Sequence, residues 1–141
     1  MPLDETISFS SEDPGMAAAI STARRSIGKF FEAFAHPAKN QRAFLVKVVF
    51  TEGSHQEHIW LADLVFTREK TCGVIGNEPD LPSLKFMQSV EFDPSQITDW
   101  MYIEDGYLVG GYTIRLIREL MSREERSAYD ARAPYNFRES D

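Results

Sequence analysis

Ala43-Phe44-Leu45-Val46-Lys47-Val48-Val49-Phe50-Thr51 and, after Glu52-Gly53-Ser54, the run His55 to Arg68 decide the fold. In the first run Phe44, Val46, Val48 and Phe50 point one way while Leu45, Lys47 and Val49 point the other, the period-two pattern of a strand. The second run places His58, Trp60, Ala62, Leu64 and Phe66 on one face and Glu57, Ile59, Leu61 and Asp63 on the opposite one. Both runs carry apolar residues on both faces, so they are expected as central strands of a sheet covered on each side. Glu52-Gly53-Ser54 joins them as a hairpin turn.

Working outward toward the N-terminus, Met16, Ile20, Ala23, Ile27, Phe30 and Phe34 recur at spacings of three and four. That spacing draws a single apolar stripe along a helix, which must lie on the sheet. Asp13-Pro14 reads as its capped start and His36-Pro37 as its end. Residues 1–12 are polar and aperiodic and are expected to form a flexible arm.

Toward the C-terminus, Thr71 to Ile75 and Ser89 to Phe92 read as further strands, the first followed by the turn Gly76-Asn77-Glu78-Pro79. Ile97 to Glu104 and Tyr107 to Gly110 flank Asp105-Gly106, a pair suited to the two positive-φ positions of a tight hairpin. Gly110-Gly111 opens into a helix from Tyr112 to Met121, and Ser122 with Glu125 has the spacing of a capping box that starts another helix reaching about Arg132. Residues 133–141 read as a polar tail. The expected fold is α+β, with a long N-terminal helix packed on a curled antiparallel sheet of five or six strands and one or two C-terminal helices in a single domain over 13–132. A helix-grip outline fits this order, and an SH3-like barrel for the strands from Thr71 onward is the runner-up.

The chain has 141 residues, 43% hydrophobic and 26% charged, the composition of one ordinary globular domain. Its net charge of -7 disfavours nucleic acid and anionic lipid as partners. Arg24, Arg25 and Lys29 form a local basic exception, readable as a phosphate site or as a solvated helix face. One cysteine, Cys72, cannot form an intrachain disulfide, and neither a signal segment nor a membrane span is evident, so a cytoplasmic location is expected.

No nucleophile elbow, phosphate-binding glycine loop, dinucleotide fingerprint or zinc-protease helix is present. His55-Gln56-Glu57-His58 contains ordinary metal ligands, but on a strand the two imidazoles point to opposite faces, so no metal and no cofactor is expected. Gly110-Gly111 and Arg115 could cradle an anion, although a sharp strand-to-helix turn accounts for the glycines equally well. Ile97-Thr98-Asp99-Trp100-Met101-Tyr102 is the most distinctive run, with Trp100 and Tyr102 on one face and Ile97, Asp99, Met101 and Ile103 on the other. Large aromatics serve as core or as binding anchors.

Glu57-His58-Ile59-Trp60, Gly73-Val74-Ile75-Gly76-Asn77-Glu78-Pro79, and the run from Ile97 through Tyr102 to Gly110-Gly111-Tyr112-Thr113-Ile114-Arg115 together resemble the YegJ-like bacterial domain of unknown function. The resemblance spans about residues 16 to 121, with the stretch after Met121 outside it. It implies a bacterial origin and a compact module, and it brings no catalytic residue or ligand. Two functions are therefore weighed. One is a non-catalytic module binding a protein or ligand in an aromatic-lined groove, with Trp60, Asp99, Trp100, Tyr102, Tyr112 and Arg115 as its contact residues. The other is a small-molecule enzyme whose polar site unites Glu57, His58, Asp99, Tyr112 and Arg115.

Overall fold

A computed structural model describes residues 14–138 of the chain. Helix α1 spans Pro14–Ala35. The strands that follow are β1 (Gln41–Glu52), β2 (His55–Phe66), β3 (Thr71–Ile75), β4 (Ser89–Glu91), β5 (Ile97–Glu104) and β6 (Tyr107–Gly110), and helices α2 (Tyr112–Leu120) and α3 (Arg123–Arg132) close the chain. The expected arm 1–12 and the capping residue Asp13 lie outside the described residues.

The strands form one sheet in the order β4-β3-β2-β1-β5-β6, every neighbouring pair antiparallel. The sheet is open, with β4 and β6 at its edges, so the barrel alternative does not form. At Asp105 and Gly106 φ is +53° and +82°, the mirror-image turn expected of this pair between β5 and β6. The Ser122–Glu125 capping box is formed in both directions at the start of α3.

Helix α1 covers one face of the sheet. Met16, Ala23 and Phe30 are buried, and Ile27 and Phe34 pack on the core beside them, so the stripe read from the sequence is the stripe that docks. Phe30 is fully buried and meets the rings of Phe31, Phe34, Phe44, Phe66 and Trp100 at centroid distances from 5.7 to 6.4 Å. Burying one such side chain contributes about 1.5–3 kcal/mol. The second face carries a smaller cluster of Trp60, Met101, Ile103, Leu108, Ile114 and Tyr135.

Three register breaks re-aim side chains. β2 carries one extra residue between Ala62 and Val65 where it pairs with β3, and Asp63 there has φ +47°. The phase therefore inverts, and Leu64 and Phe66 join Ile59 and Leu61 under α1 instead of sharing a face with Trp60. In β5 the extra residue is Thr98, because Lys47 pairs with Asp99 while the next residue, Val48, pairs with Ile97. Ile97 thus joins Trp100 on the helix-covered face, against the expectation that it would side with Asp99. A third break, between Arg42 and Leu45, coincides with φ +57° at Ala43. Strict alternation cannot anticipate any of these, since a bulge leaves no apolar period behind.

The polar-tail expectation also changes. Tyr135 is buried, Asn136 exchanges backbone hydrogen bonds with Leu108 and Gly106, and Phe137 packs on Tyr129 and Tyr135. Residues 135–137 therefore pack against the second-face cluster and partly cover the β6 edge. Phe30→Ala should cost about 3–5 kcal/mol in urea-denaturation free energy, whereas Phe86→Ala, at a half-exposed ring, should stay within about 0.5 kcal/mol of wild type.

Candidate functional site

Pairing across three strands sets Trp60 of β2, Lys47 of β1 and Asp99 of β5 in one row on the face away from α1. All three are buried, at 4%, 3% and 0% exposure. A buried carboxylate is tolerated only when donors surround it. Asp99 accepts hydrogen bonds from the amides of Trp100 (2.8 Å), Tyr112 (3.1 Å) and Thr113 (2.8 Å) and from the Thr113 hydroxyl (2.6 Å). Tyr112 and Thr113 open α2, and the residue before them, Gly111, sits at φ +65° without a side-chain cap. Asp99 therefore supplies from β5 the cap that α2 lacks locally, placing a negative group where helix amides and the helix dipole favour one. Burial raises its carboxyl above the usual carboxylate value, while the Thr113 donors, the Lys47 ammonium and the Trp100 amide oppose that rise.

Lys47 donates from Nζ to Thr113 Oγ1 at 3.1 Å and lies 5.5 Å from the centre of the Trp60 ring. The Trp60 indole N–H is buried and has no hydrogen-bond partner among the described residues. One residue pair along the same face, His58 Nδ1 meets Thr98 Oγ1 at 3.1 Å, and the Thr98 hydroxyl in turn reaches the Lys47 carbonyl at 3.4 Å. The bulge at Thr98 is what brings that hydroxyl within reach of β2, two strands away. Desolvation, then the charge of Lys47, then that of Arg24 lower the His58 pKa to about 4, so its imidazole is neutral at neutral pH. Arg24, projecting from α1, is fixed by a 3.2 Å hydrogen bond from Nε to the Ile97 carbonyl, next to Thr98. His58, Thr98 and the Lys47 main chain thus form a short polar chain, flanked by Arg24 at the Ile97 carbonyl and by the Trp60 ring beside the Lys47 ammonium.

The candidate residues named from the sequence do not gather at one point. Trp100 and Tyr102 stack on each other in the core beneath α1, and the Trp100 indole donates to the Ala23 carbonyl. Trp60 is on the opposite face, so these three rings cannot line a common groove. Tyr112 packs edge-on against Trp100. Arg115 donates to the carbonyls of Gly110 and Leu108 and lies 5.7 Å from the Phe137 ring centre, securing the β6–α2 corner. Gly110 itself is required there, since a Cβ would collide with the Trp100 carbonyl and ring. The amides that might have cradled an external anion at this corner are occupied by Asp99.

The proposed catalytic set separates in the same way. Glu57 accepts from the amides of Asp80 and Leu81 and anchors the segment between β3 and β4, while His58 projects from the other face of β2. Among the described residues no three His, Cys, Asp or Glu side chains come together as a metal site. Of the residues named beforehand, His58, Trp60 and Asp99 share the second face. Lys47, Thr98 and Thr113 were missed because a lysine in an alternating strand reads as solvent-facing, and a lone threonine, next to Asp99 or to Tyr112, carries no signal of its own.

Residues 13–137 match a family described as an uncharacterized protein conserved in bacteria, DUF2314. The chain belongs to this family. The DUF2314 match continues past Met121, where the sequence resemblance was expected to stop, and its limit agrees with the packing of Tyr135 and Phe137. The chain is similar to the protein named uncharacterized protein YegJ of Escherichia coli (strain K12), with 30% identity over 123 residues, 86% of this chain and 79% of that one. It is also similar to a putative ankyrin repeat protein of Neisseria meningitidis serogroup B, NMB1133/NMB1171, with 37% identity over 92 residues, 62% of this chain but only 36% of that longer protein. No solved structure matches.

Two outcomes test the polar row. Asp99→Ala removes the α2 cap and leaves the Lys47 ammonium buried without its carboxylate, and should destabilise the domain by about 3–5 kcal/mol in chemical denaturation. His58, at about 4 in the folded chain against 6.5 unfolded, contributes stability that is complete above pH 6.5 and is lost as pH falls toward 4. The loss should amount to about 3 kcal/mol in denaturation free energy. His58→Gln should remove that part of the pH dependence.

Proposed function

We propose that this DUF2314 domain is a non-catalytic binding module whose recognition site is the polar chain on the second face of the sheet, with His58 and Trp60 as contact residues. The carrying observation is the Trp60 indole N–H, a buried donor without a partner among the described residues, beside the Lys47 ammonium. Native structures leave few such groups unsatisfied, and a bound molecule is one way the debt is met. A catalytic reading lacks comparable support. Of the groups weighed for acid–base work, Glu57 and Arg115 are engaged with backbone groups at separate places and Asp99 is committed to α2, so they do not converge on one substrate. The similarity to part of a longer ankyrin repeat protein favours a portable domain, joined there to further sequence. We take its compartment to be the cytoplasm, on the strength of a single buried cysteine that no disulfide requires. No helix among the described residues is long and apolar enough to cross a membrane.

A thermal-stability screen of the purified protein against small metabolites, followed by NMR of the complexes, tests the reading. A true ligand should raise the melting temperature saturably and shift the His58 ring and Trp60 indole resonances, while its own spectrum stays unchanged through many hours of incubation. Multiple turnover of the compound, or stabilising ligands whose shifts all map away from His58 and Trp60, would sink it.

A further inference from the structure

The two edges of the sheet are finished differently. At β6 the bridge between Tyr107 and Asn136, with the bonds of Asn136 to Leu108 and Gly106, lays the C-terminal segment along the strand. At β4 no described residue does the same. Pairing with β3 sets Cys72 opposite Glu91, Gly73 opposite Val90 and Val74 opposite Ser89. The Ile75 amide donates to the Gln88 carbonyl at 2.9 Å and the Phe92 amide to the Thr71 carbonyl at 3.1 Å. Gln88, Val90 and Phe92 are therefore the residues whose main chain turns toward β3, because successive residues of an antiparallel ladder alternate between facing the partner and facing away. Ser89 and Glu91 aim their N–H and C=O groups outward. Both residues are exposed, and those outward groups have no hydrogen-bond partner among the described residues.

What flanks this edge is apolar at one end and acidic at the other. The turn before β4 is closed by the Gln88 amide on the Lys85 carbonyl and by the Lys85 amide on Gln88 Oε1. Phe86 and Met87 are its two central residues and are 50% and 64% exposed. Met87 has φ +72°, at a turn position that ordinarily takes glycine or asparagine. Two large apolar side chains held out together at such a tip add nothing to the core and mark a contact surface. Toward the other end Glu91 is itself one of the outward residues, and Asp93 follows, its carboxylate bonded to the Ser95 amide at 2.8 Å on an exposed residue. A second copy would bring another acidic edge, on a chain of net charge -7, against this one. A basic segment is attracted by both the strand and the whole molecule.

We propose that β4 is a docking edge for an extended, basic segment of a partner protein, which adds to the sheet as a further antiparallel strand. Ser89 and Glu91 each give it one main-chain donor and one acceptor, groups that an extended backbone matches at two-residue spacing. A lysine or arginine of the segment lies opposite Glu91, and beyond Ser89 its apolar end packs on Phe86 and Met87. Antiparallel addition therefore places the partner's basic residues before its apolar ones in sequence. β4 is separated from β2, which carries His58 and Trp60, by the whole of β3, so this surface does not depend on what binds there.

The test is an NMR titration of the full chain, following shifts and amide exchange, with a capped synthetic peptide of alternating threonine and valine that carries lysines at its N-terminal end and leucine at its C-terminal end. Saturable binding should slow exchange at the Ser89 and Glu91 amides about tenfold or more, while the Val90 and Phe92 amides, already turned to β3, change far less. The His58 and Trp60 resonances should stay in place, which keeps the outcome independent of that site. Phe86→Ala, at a ring the fold does not need, should weaken the dissociation constant about tenfold. Glu91→Lys, an exposed change, should weaken it too and should favour the same peptide with glutamates in place of the lysines. Methylating the peptide nitrogens that face β4 should abolish the protection. Shifts that saturate without slowing the Ser89 and Glu91 amides, or that both variants leave unchanged, overturn strand addition. So does the absence of any shift from Ser89 to Phe92 at millimolar peptide. If those two amides are already protected in the peptide-free chain and sedimentation shows a dimer, the occupant is a second copy and the assignment to a basic partner fails.

Discussion

A carboxylate with no solvent contact organises the second half of this domain. Asp99 is placed on the sheet's second face by the extra residue Thr98, and its two oxygens take up the first amides of α2 together with the Thr113 hydroxyl. Without that acceptor, Gly111 would begin a helix with its leading N–H groups buried and unmatched. With it, α2 starts directly after β6, and Ile114 and Ile117 turn inward as its buried side chains. Lys47, paired opposite Asp99 in β1, is then the counter-charge that a low-dielectric interior demands.

The same constraint creates the polar chain. Once Thr98 is the bulged residue, its hydroxyl can bridge His58 on β2 and the Lys47 carbonyl on β1. Ile97, displaced to the other face, offers its carbonyl to Arg24 of α1. Helix, sheet and polar site are consequently coupled through three consecutive residues, Ile97, Thr98 and Asp99. A change at any of them should be felt both in packing and in the electrostatic setting of His58.

The two faces divide the work by chemistry. Beneath α1 the contacts are aromatic and dry, centred on Phe30 and Trp100, and they account for cohesion. On the far face the cluster around Trp60, Met101 and Ile114 adjoins charged groups, and there the protein retains a donor that no described residue satisfies. Aromatic density left Trp100 and Tyr102 readable as core or as binding anchors, and burial places both in the core beneath α1.

From the sequence by itself came the α+β class, the docking stripe of α1, the β1–β2 hairpin, the Asp105–Gly106 turn and the Ser122 capping box. All of these are local, because period and turn chemistry are written in neighbouring residues. His58, Trp60 and Asp99 were legible as notable residues for the same reason, as chemically unusual side chains in apolar runs. Their grouping was not legible, nor were the parts of Lys47, Thr98, Thr113 and Arg24. Those depend on pairing register, on bulges at Asp63 and Thr98, and on a helix meeting a strand more than seventy residues away, as Arg24 does at Ile97. Such relations arise only when strands distant in the chain are laid side by side, since a one-residue shift in register moves a side chain from one face to the other.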